Sequence, residues 1–150
     1  MESLPWLPRL TVATIVERDH RFLLVEEYAD GEDLVYNQPA GHLDEHETLA
    51  AAAIRETLEE TAWEVQVDAI VGLYYWTHPK GHTFVRTCFA GVALQHHPDQ
   101  ALDYGIQRAL WLTWEEIVAL GPKLRSPMVL RCLEDYRAGK RYPLDLMNYL

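Results

Sequence analysis

Glu47, then Arg55 and Glu56, then Glu59 and Glu60 fall at fixed intervals behind Gly41 in one short stretch of this chain. On a helix, Glu56, Glu59 and Glu60 stand at i, i+3 and i+4 and share a face. Like charges so close repel unless something neutralises them. A hard divalent cation does so; magnesium takes oxygen ligands and keeps waters and substrate phosphates in its shell. The chemistry this spacing predicts is metal-assisted handling of a phosphate-rich substrate. The competing reading is a solvated acidic helix face.

The element that must carry these groups is a helix over Leu49–Thr61, rich in Ala, Leu, Glu and Arg and free of Gly and Pro. Its pattern predicts that Ala50, Ala51, Ile54, Leu58 and Thr61 face the core while the glutamates face out. Thr48, or Asp44 with Glu47 three residues on, could cap its start. Strands are predicted before it at 9–17, 22–27 and 34–38, with a loop at Gly41. After it come long strands at 65–76 and 83–94 around the turn His78–Gly81, then a polar loop at 95–103 and a strand at 107–112. Thr113 and Glu116 form a capping box. Ser126 and Pro127 open a last helix with the stripe Val129, Cys132, Leu133, Tyr136, which Gly139 stops. Strands on both sides of a central helix, with helices following, predict an α/β sheet layered between helices.

The 150 residues match one domain, residues 1–150. Thirteen Lys and Arg against 23 Asp and Glu give a net charge of −10. Such a chain is a poor reader of nucleic acid or anionic membrane, yet metal ions would let it bind a polyphosphate. Its two cysteines, Cys88 and Cys132, form no CxxC and read as buried small hydrophobes. The start MESLPWLPRLTV lacks the pattern of a signal peptide, and no apolar run is long enough to span a bilayer. A cytoplasmic protein acting on a small molecule is expected, as a monomer or weak homodimer.

The pattern G-x5-E-x7-R-E-x-x-E-E resembles the Nudix box, at Gly41, Glu47, Arg55, Glu56, Glu59 and Glu60. Six such positions recur by chance on the order of once in 10⁷ to 10⁸ starts. The resemblance implies the Nudix fold, an α/β/α sandwich with a mixed β-sheet carrying the box helix, over residues 8–120, with a C-terminal helix and tail at 121–150. It implies that Glu56, Glu59 and Glu60 bind Mg2+, or Mn2+ as a substitute, with the Gly41 carbonyl in the shell. Arg55, held by Glu47, would orient the glutamates, and a box or loop carboxylate would take a proton from the attacking water. Thr57, Ala62 and Trp63 depart from the family pattern. Ala62 stands where Gly usually supplies the left-handed helix cap. Asn37–Leu43 before the box, and LRSPMV and GKRYPLD near the end, are similar to the NudJ-type phosphatases. That branch implies orthophosphate release from nucleoside tri- and diphosphates and from the pyrophosphate of the thiamin pyrimidine precursor. The rivals are a pyrophosphohydrolase cleaving an internal linkage and a non-catalytic module that binds a nucleotide or a protein.

Further candidates stand outside the box. Trp76 could stack on a substrate ring, ahead of Tyr74 and Tyr75, though strand aromatics are more often core. Arg86 could hold a phosphate through its fork or sit on the wet face of the sheet. Arg125, with Ser126 at a helix start, and Lys80 and His82 at the turn could also approach phosphates. Paired histidines, His42 with His46 and His78 with His82, suggest zinc only weakly, since no third ligand accompanies them. Many relatives carry a further loop glutamate; here Tyr104 takes its slot, with Asp103 as a substitute.

Overall fold

The computed structural model describes residues 3–29, 31 and 33–150; Met1 and Glu2, which begin the segment read for a signal peptide, lie outside them. Among the described residues seven strands form one sheet: β1 (Arg9–Arg18), β2 (Arg21–Ala29), β3 (Asp33–Asn37), β4 (Ala40–His42), β5 (Trp63–Thr77), β6 (Thr83–His96) and β7 (Ile106–Leu112). The main order is β3-β2-β1-β6-β5, with β4 also on β1 and β7 also on β2. β1 and β6 run parallel and the other pairs antiparallel, so the sheet is mixed. The helices are α1 (Leu49–Thr61), α2 (Trp114–Leu120) and α3 (Pro127–Arg137).

Strand alternation divides the core between the two faces of the sheet. Val12, Ile70 and Phe89 pack with Ala52 and Ala53 of α1. Their neighbours Ala13, Val71 and Cys88 pack with Ile117 of α2 and with Cys132 and Leu133 of α3. The result is the α/β/α layering expected from the sequence. Cys88 and Cys132 are free and buried. Among the described residues, no helix is long and apolar enough to cross a membrane.

α1 keeps its expected bounds, and Thr48 is its N-cap, accepting from the Ala51 N–H. Asp44 and Glu47 instead close the turn ahead of it, the Asp44 N–H donating to Glu47 Oε1 at 2.8 Å. Which face is buried differs from expectation. Ala52, Ala53, Thr57, Glu60 and Thr61 point inward, whereas Ala51 is exposed and Ile54 is 37% exposed. The small alanines let α1 lie close against the sheet, and that close approach carries Glu60 inward with them. Thr57 and Thr61 tolerate burial because each hydroxyl donates to the carbonyl four residues back, at 2.7 and 2.6 Å. Ala62 ends the helix in the left-handed region, φ 60°, its N–H donating to Leu58 O. That backbone costs an L-residue about 1 kcal/mol.

Gly41 is in a strand, not a loop: β4 pairs with β1, Gly41 opposite Val12. That pairing lays the β4 backbone beside α1. A Cβ on Gly41 would overlap the Glu56 carboxylate, so a larger residue there must push that carboxylate aside.

Candidate active site

Arg55 organises the acidic face of α1. Its Nε and Nη2 donate to both Glu47 oxygens at 3.0 and 2.6 Å, the two-pronged geometry of a strong charge-assisted pair. Nη1 donates to Glu56 at 3.0 Å and Glu59 at 3.2 Å, and Nη2 also reaches the His42 carbonyl at 3.1 Å. These contacts use all five N–H donors of the guanidinium. Arg55 therefore has no donor left for a phosphate and acts by positioning Glu56 and Glu59. Its hydrogen bonds draw Glu47 down to a pKa of about 2. Arg55→Lys keeps the charge and loses the fork. It is expected to raise the half-saturating concentration of the divalent cation, or lower kcat, about 10- to 100-fold. Wild-type values for both in a metal titration would remove this role.

One carboxylate oxygen each from Glu56, Glu59 and Asp103 lie within 4.8 Å of one another. Asp103 reaches the helix through the chain: its N–H donates to the Glu59 carbonyl at 3.0 Å, which docks the 97–103 loop on the C-terminal half of α1. Tyr104, one residue on, is fully exposed, so it is Asp103 that joins the glutamates. No histidine joins this group among the described residues.

Glu60 stands apart from the trio. It is 8% exposed, and its Oε1 accepts from the Ala40 N–H at 2.8 Å. Burial pushes its pKa up to about 9 against that hydrogen bond, with the charges of Glu27, Glu56 and Asp103 adding to the rise. Glu56 is raised as well, first by burial. Glu27 had drawn no attention in the sequence. A register shift at Glu26/Glu27 marks a bulge in the pairing of β2 with β7, and Glu27 is buried there. Arg125 donates to it at 2.7 Å, which places Arg125 at the edge of this acidic centre.

The donor set fits a hard divalent cation: it is all carboxylate oxygen, it is short of positive charge, and glycine stands where any Cβ would collide with Glu56. Gly41→Ala is expected to displace the Glu56 carboxylate and weaken activation by a divalent cation about tenfold or more. An unchanged activation curve would show that the close approach is inconsequential.

The remaining candidates separate. Arg86 is 4% exposed and interior, not on the wet face of the sheet. It donates to Gln38 at 3.0 Å and Asn37 at 3.1 Å, and its Nε has no partner. It fastens the segment leading into β4. Lys80 and His82 are exposed on the β5–β6 turn. Trp76 stacks on Phe84 at 5.9 Å and lines a cavity on the α3 face. Tyr74 lines the same cavity and donates to Asp135, whereas Tyr75 is exposed.

A NUDIX domain model matches residues 7–132. The chain is 40% identical over 141 residues to phosphatase NudJ of Escherichia coli strain K12, covering 94% of this chain and 91% of that protein. A NUDIX hydrolase from Nitrosomonas europaea superposes with a TM-score of 0.94 at 44% identity, over 96% of this chain and 98% of the other. The NUDIX domain of Shewanella oneidensis NrtR, solved with ADP ribose, shares the fold at a TM-score of 0.71 and 18% identity.

Proposed function

The chain belongs to the Nudix hydrolase family and acts on phosphoanhydride bonds, and from that premise we propose that it is a magnesium-dependent phosphatase, with manganese as a substitute metal. Its substrates would be nucleoside tri- and diphosphates and the pyrophosphate of the thiamin pyrimidine precursor, each losing orthophosphate. The observation that carries the metal-dependent reading is the convergence of Glu56, Glu59 and Asp103 beside buried Glu60. The likeness to phosphatase NudJ along nearly the whole chain supports the choice of phosphatase.

Glu56, Glu59 and Asp103 would hold the cation, with Glu60 and the Gly41 carbonyl beside it. When bound, magnesium would neutralise phosphoryl oxygens and make a water a better nucleophile at neutral pH. Arg55 holds Glu56 and Glu59 in place, and its remaining donors go to Glu47 and the His42 carbonyl. The Ala40 N–H fixes one Glu60 oxygen, leaving the other for the site. A carboxylate of this cluster would take the proton of the attacking water. The buried free thiols suit the reducing cytoplasm in which we place the enzyme.

Product analysis tests this reading. Purified protein with magnesium is incubated with nucleoside di- and triphosphates, dinucleotides and the thiamin-precursor pyrophosphate, beside a Glu60→Gln control. Orthophosphate released one group at a time, and absent in the control, is the expected result. Pyrophosphate, or cleavage of an internal linkage, would replace the phosphatase by a pyrophosphohydrolase. No turnover would leave a binding module.

A further inference from the structure

Arg86 carries a positive charge into the core, and none of its hydrogen-bond partners is a carboxylate. It donates to Gln38 Oε1 at 3.0 Å, to Asn37 Oδ1 at 3.1 Å and toward Cys132 Sγ at 4.0 Å, with Nε left over. A buried charge is costly unless it is paired. Of these three partners, the Cys132 sulfur alone can take a negative charge. Burial by itself would raise the Cys132 thiol, but the Cys88 thiol bonded to it and the Arg86 charge outweigh burial and draw it below its ordinary value. Cys88 is held the other way, pushed up first by burial, and so keeps its proton.

The two thiols belong to different elements. Cys88 on β6 and Cys132 on α3 have no exposed surface and pack in one core cluster. They are the chain's two cysteines. A cavity of about 560 Å³ leads toward them between β5 and the start of α3. Its lining includes Gly72, which pairs with Cys88 across the strands, and Asp135, which stands three residues along α3 from Cys132. Gly72 has no side chain, and the Tyr74 ring lies over it. A small uncharged molecule passes that ring to reach the sulfurs.

Arg86 also connects the thiols to the acidic centre. Asn37 and Gln38, which take its donors, lead through Pro39 into β4. There the Ala40 N–H holds Glu60 and Gly41 lies against Glu56. Gln38 donates in turn to the Val129 carbonyl of α3 at 2.8 Å, so α3, Arg86 and the entry to β4 are fastened as one unit.

We propose that Cys132, as a thiolate paired with Arg86, and Cys88, as its partner thiol, form an oxidation site that a hydroperoxide closes into a disulfide, releasing the 37–41 segment and slowing hydrolysis. The Cys132 sulfur attacks the terminal peroxide oxygen and the O–O bond breaks. The leaving alkoxide, or hydroxide, takes a proton from solvent, and Cys132 becomes a sulfenic acid. The Cys88 sulfur then attacks the Cys132 sulfur, and the expelled hydroxide takes the Cys88 proton as water. Two electrons pass from the sulfurs to the peroxide, and a dithiol reverses the change by exchange. With its negative partner consumed, Arg86 loses the charge that held it, and its grip on Asn37 and Gln38 loosens.

The test treats the folded protein with hydrogen peroxide. Both thiols are expected to disappear, and a Cys88–Cys132 linked peptide to form. Amide exchange over residues 37–41 is expected to speed up, and turnover of a nucleoside triphosphate to fall about tenfold or more. Dithiothreitol restores all of these. Cys88→Ala keeps the Arg86–Cys132 pair and removes the second thiol; after peroxide, dimedone is expected to label Cys132 as its sulfenic acid. In Cys132→Ala, Cys88 is expected to stay unlabelled. Thiols that persist in the folded wild type, or dimedone on Cys88 rather than Cys132, would overturn the site. A linked peptide with unchanged exchange over 37–41 would overturn its coupling to the acidic centre. The thiol, labelling and exchange readouts hold whichever phosphoanhydride the enzyme cleaves.

Discussion

In metal-free buffer at pH 8, Glu60→Gln is expected to unfold at a higher temperature than the wild type while losing most of its turnover with magnesium restored. Glu60 is buried, and its folded pKa of about 9 lies above the ordinary glutamate value of 4.5. Between those two values the folded protein holds a proton that the unfolded chain has released. Stability from this group is therefore complete below pH 4.5 and declines as pH rises toward 9. At 1.36 kcal/mol per pH unit, the deficit at pH 8 is on the order of a few kcal/mol. Glutamine stays neutral, still accepts from the Ala40 N–H, and has no such slope. The expected gain is about 5 °C or more at pH 8 and nearly nothing at pH 4. Saturating magnesium should narrow the gap, since a cation beside the carboxylate offsets the cost of ionising it. Equal melting temperatures at pH 8 would mean that Glu60 is not a strained buried acid. Undiminished turnover would remove it from the site.

A second large effect is expected at the carboxylate trio. Glu56→Gln and Glu59→Gln should each lower kcat by about 10²- to 10³-fold, the scale on which one aimed electrostatic group acts. Asp103→Asn should raise the half-saturating magnesium concentration about 10- to 100-fold. Tyr104→Ala is the matched control, because its side chain is wholly exposed next to Asp103 and touches none of the glutamates. Magnesium titrations of all four variants read these effects. If Asp103→Asn and Tyr104→Ala behave alike, the loop aspartate does not belong to the centre.

These two sets of variants differ in how visible their residues are before the chain folds. The bounds of α1, its Thr48 cap, the Thr113–Glu116 box and the Ser126–Pro127 helix start all follow from neighbours a few positions apart. Interactions of that range are written in the local order of residue types, so spacing and propensity suffice. The grouping of Glu56, Glu59 and Glu60 on one helix, and the family resemblance, are legible for the same reason. Burial is not local. Spacing favoured Ile54 as a core residue of α1, but Ala52 and Ala53 permit the closer approach to the sheet, so Ile54 stays at the surface and Glu60 goes in. Arg86 looks like a surface or ligand residue until β1 and β5 flank it and Asn37 and Gln38 receive its donors. Glu27 turns inward at a strand bulge and finds Arg125, and the cost of ionising Glu60 depends on that charge. Asp103 meets the glutamates because a loop more than forty residues along the chain docks on the end of α1. Local order thus specifies which residues share a helix face; the dielectric around that face, and the partners that complete it, come from segments brought together by packing.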